Sequence, residues 1–177
     1  MEKFIELVKV RRSMRKFTEE KITAEEQRQL MRAALMAPSS KGLHSYAFKV
    51  VENVQQLEAL SKAKDRGGEF LAGAPLGIVV MADPAVSDVW VEDASVAATH
   101  LLLQAEDMGL GACWIQIRER KDEEGRDAEE NVRQLLGIDP SLRVLCIIGV
   151  GHKGMERKPQ NEDKLAWDKV QSDTMIF

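Results

Sequence analysis

Arg11-Arg12-Ser13-Met14-Arg15-Lys16 sets four cations and one hydroxyl within six consecutive residues. Arginine presents a planar fork of N–H donors and serine one O–H, a set suited to a dianionic phosphate. Each charge-assisted hydrogen bond of that kind contributes about 1.5–3 kcal/mol. The same run also reads as a helix end whose cations offset the negative pole of the dipole and otherwise face water. The rest of the chain has to decide between the two.

Composition narrows the field first. The chain has 177 residues, with Lys+Arg 25 against Asp+Glu 29 and a formal charge of −4. No global basic field exists to hold nucleic acid, so the basic run is a local feature. The length suits one domain spanning 1–177, or one subunit of an intertwined oligomer. No apolar run approaches the roughly 20 residues of a membrane span, and Met1-Glu2-Lys3-Phe4 lacks the apolar core of a signal peptide. The cytoplasm is the expected compartment. Cys113 and Cys146 lie in separate apolar runs without CxxC spacing and read as buried thiols. Three scattered histidines, His44, His100 and His152, have no metal-ligand spacing, and no metal is expected.

The elements that must position the basic run follow from periodicity. Phe4, Leu7, Val8 and Arg11 share a helical face, which puts the run where the first helix ends. Thr23-Ala24-Glu25-Glu26 is a capping box; Leu30, Met31, Ala34 and Leu35 continue that helix, and Ala37-Pro38 stops it. A polar loop over 39–45 leads into a strand, Tyr46–Val51. Asn53 with Gln56 opens a short helix to about Lys64, and Asp65-Arg66-Gly67-Gly68 is a turn. Leu76–Ala82 reads as a buried strand bounded by Asp83-Pro84. Between about 87 and 108 lies the strongest helical pattern. There Ala94, Ala98, Leu101, Ala105 and Met108 recur at steps of four, three, four and three, and Ala97, Leu102 and Leu103 fill the other faces. A helix apolar nearly all round belongs in a core or between subunits.

Gly109-Leu110-Gly111 ends that helix and a strand follows over 112–117. Residues 118–126 read as a charged, solvated loop without assignable chemistry. Asp127 with Glu130 caps a helix to Leu136-Gly137, and 143–150 reads as a central strand entering a loop over 151–159. Leu165, Trp167, Val170, Met175, Ile176 and Phe177 in the tail are expected to pack on something, a partner subunit being one such surface. Helices alternating with four strands give an α/β or α+β sandwich. The one G-x-G-x-x-G match, Gly149-Val150-Gly151-His152-Lys153-Gly154, leads into a loop rather than opening a helix, and no G-x-x-x-x-G-K-[ST] occurs, so side chains rather than a glycine nest must hold any phosphate.

Four motifs in register carry a resemblance. Arg11-Arg12-Ser13-x-Arg15, Ala37-Pro38-Ser39-Ser40, Gly109-Leu110-Gly111-Ala112-Cys113-Trp114 and Gly149-Val150-Gly151-His152 with Glu156-Arg157-Lys158-Pro159 resemble the nitroreductase superfamily over nearly the whole chain. The resemblance implies an α+β fold, a mostly antiparallel central sheet flanked by helices, and an intertwined homodimer with FMN at the subunit interface. It implies that Arg11, Arg12, Ser13 and Arg15 hold the phosphate, ribityl chain and pyrimidine edge. Pro38, Ser39 and Ser40 would reach the flavin from the other subunit. Trp114, Ile115 and Gln116 would lie beside the ring, with the N–H groups of Gln116 and Ile117 near N5. Arg157 or Lys158 would supply a late cation to the phosphate. The chain departs from the family at Gly42-Leu43-His44-Ser45-Tyr46, where many members read Asn-x-Gln-Pro-Trp, and at Gln116-Ile117, where many carry glycine.

The implied activity is NAD(P)H-dependent reduction of nitroaromatic, quinone-like or other conjugated small molecules. It would proceed by ping-pong hydride transfer through flavin N5, with Arg15 or Arg11 stabilising the reduced ring. A flavin-binding protein with little turnover, or a reductase specialised for one C=C or C–halogen bond, are the alternatives. His44 could supply a proton to an acceptor. Trp114 also reads as core, Ser39-Ser40 as a turn, and His100 as a hydrogen-bonded core histidine. No nucleophile elbow supports a hydrolase.

Overall fold

The computed structural model describes residues 2–174. The helices are α1 (Glu2–Val10), α2 (Ala24–Leu35), α3 (Val54–Ser61), α4 (Trp90–Asp107) and α5 (Ala128–Leu136). The strands are β1 (Tyr46–Val51), β2 (Leu76–Ala82), β3 (Leu110–Gln116) and β4 (Arg143–His152). They form one antiparallel sheet in the order β1-β2-β4-β3. This is the expected α+β architecture, with β4 central as its apolar run implies.

Helices cover both faces. On one, Leu30 and Ala34 of α2 and the alanines of α4 pack against Leu76, Ile78, Val80, Ile148 and Val150. On the other, Leu57, Leu60, Leu71, Val132 and Leu136 pack against Val79, Met81, Ile115 and Ile147. The alternation breaks once: Val80 pairs with Cys146 but Met81 with Val144. Leu145 is the extra residue of this bulge, so Leu145 and Cys146 both turn towards α4. The bulge also aims the Leu145 carbonyl at the end of β3, where it accepts from Ile117 N–H at 3.1 Å and Arg118 N–H at 3.0 Å.

Local signals explain the ends. Thr23 accepts from Glu26 N–H, and the Glu26 carboxylate accepts from Thr23 N–H at 2.7 Å. Asn53 and Asp127 cap α3 and α5, and α5 stops at Gly137, with φ 61. The long helix starts at Trp90 rather than about 87, because residues 83–87 form a turn closed by Val86 N–H to Asp83 O at 3.2 Å.

Beyond α1 the chain runs extended beside β3. Ser13 bridges Ala112 in parallel, and Phe17 bridges Lys153 antiparallel. Three glycines, Gly111, Gly151 and Gly154, permit the approach. A Cβ on Gly111 would lie 2.5 Å from Met14 Cγ, and one on Gly151 would lie 2.7 Å from Pro75 Cδ and 2.8 Å from the Phe17 ring. The tail then returns to α1, where Gln160 N–H donates to Lys9 O at 2.8 Å and Lys9 pairs with Glu162. Leu165, Trp167 and Val170 stay about half exposed on this chain. Met175, Ile176 and Phe177 lie outside the described residues.

Candidate active site

The extended arm sorts the basic run by parity, since successive residues of extended chain face opposite ways. Arg11, Ser13 and Arg15 converge on the thiol of Cys113 in β3. Burial pushes that thiol up, and the nearby Arg15, Ser13 and Arg11 offset the rise only in part, while its Sγ donates to Trp114 O at 3.7 Å. Arg12 faces elsewhere: its Nη1 donates to Lys158 O at 2.5 Å and lies 3.4 Å from Pro159 O. It pins the returning tail, so the six-residue run is two devices rather than one. Arg12 also lines a cleft of about 550 Å³ with Met14, Glu106, Lys153 and Arg157. Arg157 and Lys158 are both exposed, and Lys158 meets Arg12 through its carbonyl rather than its ammonium.

The free edge of β3 adjoins the Cys113 cluster. Met14 N–H donates to Ala112 O at 3.0 Å, so Ala112 turns its peptide groups away from β4. In an antiparallel ladder the N–H and C=O of one residue point the same way, and the direction alternates along the strand. Trp114 and Gln116 therefore present their N–H groups on the outer edge. Ile117 does not: its N–H is bonded to the Leu145 carbonyl across the bulge, which corrects its expected place beside the ring. Ile115, 1 % exposed, packs on the α3 side with its peptide groups turned to β4. It holds the strand and offers no polar group. Trp114 is partly buried against the α4 core, its Nε1 donating to Gln116 Oε1 at 2.9 Å, while Gln116 Nε2 donates to Arg118 O at 3.0 Å.

Pro38, Ser39 and Ser40 sit apart from the arm, at the N-terminal end of α4. Asp93, 4 % exposed, accepts from Ser40 N–H at 2.7 Å, Ser87 Oγ at 2.9 Å and Ser45 Oγ at 3.4 Å. Ser39 Oγ accepts from His44 N–H at 2.9 Å. The segment is a fastened projection, with Lys41 at φ 53 and His44 at φ 46. Tyr46 points inward and donates to Ala37 O at 2.7 Å, so His44 Nδ1, 2.7 Å from the phenol oxygen, is its N–H donor. Burial and the Asp93 charge raise the Tyr46 phenol. Ser45 and Tyr46 are thus core residues, and of this departure from the family pattern Gly42, Leu43 and His44 face outward. His100 bonds Ala33 O at 3.2 Å, joining α4 to α2 as expected. His152 ends β4 with Nε2 buried, 3.7 Å from Glu26 Oε1 and 3.8 Å from Glu20 Oε1.

Sequence reasoning missed the anchoring role of Asp93 and the hub at Cys113. An acid beside the alanine stripe of α4 was the available signal for the first, masked by the neighbouring Glu92 as an ordinary first-turn acid; nothing local signals the second.

Residues 8–66 and 54–152 match the profile of the Nitroreductase family. The chain belongs to that family. It is 41% identical to a solved FMN-dependent nitroreductase from Clostridium difficile R20291, with a TM-score of 0.92 over 97% of this chain and 99% of the other. It is 31% identical over 161 residues to an Archaeoglobus fulgidus protein provisionally named an NADH dehydrogenase/NAD(P)H nitroreductase, covering 89% of each. A Vibrio harveyi NADPH-flavin oxidoreductase is 28% identical over 176 residues, 90% of this chain and 70% of that one.

Proposed function

We propose that this protein is an FMN-dependent NAD(P)H oxidoreductase that works as a homodimer with flavin at the subunit interface. The convergence of Arg11, Ser13 and Arg15 beside the unpaired edge of β3 carries the reading. A phosphate dianion asks for charged donors in a partly dry site, and these three residues supply them. From Cys113 to Gln116 the strand runs roughly 10 Å, so a molecule held at one end by its phosphate can meet the outward Gln116 N–H with its ring. The residues fit FMN.

FMN held here would supply hydride chemistry between NAD(P)H and a nitroaromatic, quinone-like or other conjugated acceptor, the two substrates binding in turn. The chain supplies position and electrostatics. Arg11, Ser13 and Arg15 would hold the phosphate; Arg157 or Lys158, both exposed near the tail return, would add a third cation. Gln116 N–H, on the free edge of β3, would donate to the ring, and Arg15 or Arg11 would oppose the negative charge that reduction puts there. Pro38, Ser39 and Ser40 are too firmly fastened at the far end of α4 to reach their own chain's arm. Their place in the dimer is over the partner's ring, with His44 beside them as a proton source. FMN-dependence in the Clostridium difficile relative supports the cofactor.

The decisive experiment is the visible spectrum of the purified protein before and after NADPH. A flavin band that bleaches with NADPH and recovers with a nitroaromatic is the expected result, with parallel lines in double-reciprocal rate plots. A colourless protein that takes up no FMN would overturn the reading.

A further inference from the structure

Where β3 leaves the sheet, two guanidinium groups lie against the indole of Trp90: Arg118 at 5.8 Å and Arg143 at 5.7 Å from its centroid. Arg143 is saturated. Its Nε and Nη2 each meet a Glu129 oxygen at 2.8 Å, and that carboxylate is only 3 % exposed. Arg118 is not. Among the described residues its Nε is buried without a hydrogen-bond partner, and its Nη2 meets the neighbouring Glu119 at 2.7 Å. Glu119 is 68 % exposed at its side chain and sits at φ 58, a conformation costly for a residue with a Cβ. A buried N–H without an acceptor is uncommon and calls for an explanation.

We infer that the Nε–Nη2 edge of Arg118 binds an oxyanion, carboxylate or phosphate, of the molecule that exchanges electrons with the flavin, displacing Glu119. This rests on the function proposed above. The Trp90 indole holds the guanidinium by a cation–π contact, and its Nε and Nη2 form the fork that takes a carboxylate or phosphate in bidentate fashion. Glu119 already stands in for one of those oxygens. The site is joined to the ring edge, because Gln116 bonds the Arg118 carbonyl at 3.0 Å. It is distinct from the phosphate clamp: the strand from Cys113 to Gln116, roughly 10 Å, and the turn beyond it separate Arg118 from Cys113.

The test compares 4-nitrobenzoate with nitrobenzene, and NADPH with NADH, on flavin-loaded wild type, Arg118→Gln and Glu119→Gln. Arg118→Gln is expected to lower kcat/KM for one anionic member by about tenfold through KM. Its neutral or less charged counterpart moves by less than about threefold. Loss confined to 4-nitrobenzoate identifies an acceptor carboxylate; loss confined to NADPH identifies the nucleotide's extra phosphate. Glu119→Gln, which removes the competing carboxylate and leaves Arg118 over Trp90, moves the same ratio the opposite way. A merely structural Arg118 would not give opposite signs. Unchanged ratios in both variants, with flavin bound and bleached by NADPH, overturn this inference alone. A wild type that takes up no flavin overturns the proposed function instead. Should Arg118→Gln not fold, the direction of change in Glu119→Gln decides.

Discussion

Arg11 and Arg12 are neighbours of the same type with different work, and the difference is measurable. Arg11→Ala removes a donor from the Cys113 cluster and is expected to weaken FMN binding ten- to a hundredfold, about 1.5–3 kcal/mol. Arg12→Ala removes the pin on the Lys158 carbonyl and acts only through the position of Arg157 and Lys158, so it should weaken FMN binding clearly less than Arg11→Ala does. Titration of the apoprotein, followed by quenching of flavin fluorescence, separates the two; equal losses would refute the division. The list of donors was legible in the sequence. Their sorting was not, because residues just past a helix look like one cluster until the pairing of Ser13 with Ala112 imposes a period of two. Gly151 was likewise legible as a motif but not as a contact. Gly151→Ala would press a methyl against Pro75 and Phe17 and should cost about 1–3 kcal/mol in urea unfolding, with no direct effect on the flavin.

Among the elements, the strands were easiest to read: both Tyr46–Val51 and Leu76–Ala82 end where turn residues meet apolar runs. The loop over 118–126 was hardest. It reads as solvated because it is charged, yet Asp122 has a side chain only 6 % exposed and organises the whole turn. Its oxygens accept from Arg126 Nε at 2.7 Å, Asn131 Nδ2 at 2.9 Å, and the N–H groups of Glu124 and Arg126. Burial raises its carboxyl, but these bonds together outweigh it and bring it from 3.8 to about 2. A carboxyl depressed on folding stabilises the fold above its unfolded value and loses that contribution as pH falls through its folded value. Stability should therefore decline between pH 3.8 and about 2, and Asp122→Asn should flatten that part of the urea-midpoint profile. For α4 the apolar pattern predicted burial, and Ala98 is 0 % exposed between helix and sheet. Ala98→Glu should abolish soluble folded protein, since an unpaired charge there has no partner.

At the scale of the molecule, the surface carries apolar residues that a lone chain does not cover. Phe4 and Met36 are 58 % and 64 % exposed, and they flank adjoining grooves that share Ala33, His100 and Gln104. A patch of this kind is characteristic of an interaction surface, and in the proposed dimer it is the buried seam. Phe4→Asp with Met36→Asp should shift the sedimentation coefficient to that of a monomer and release flavin. A dimer that survives both changes would place the interface elsewhere. The intertwined dimer came from family resemblance, not from periodicity, since apolar faces look alike in sequence whether a core or a second subunit covers them.

The tail return ties residue 160 to residue 9, and Lys158 to Arg12. Arg12 and the Lys158 carbonyl are 146 residues apart in sequence, so the basic arm is made long before the loop that fastens it. Until residues 110–116 have emerged as well, the arm has no strand to lie on. The donors around Cys113 can take up their final geometry only once the sheet they lean on exists.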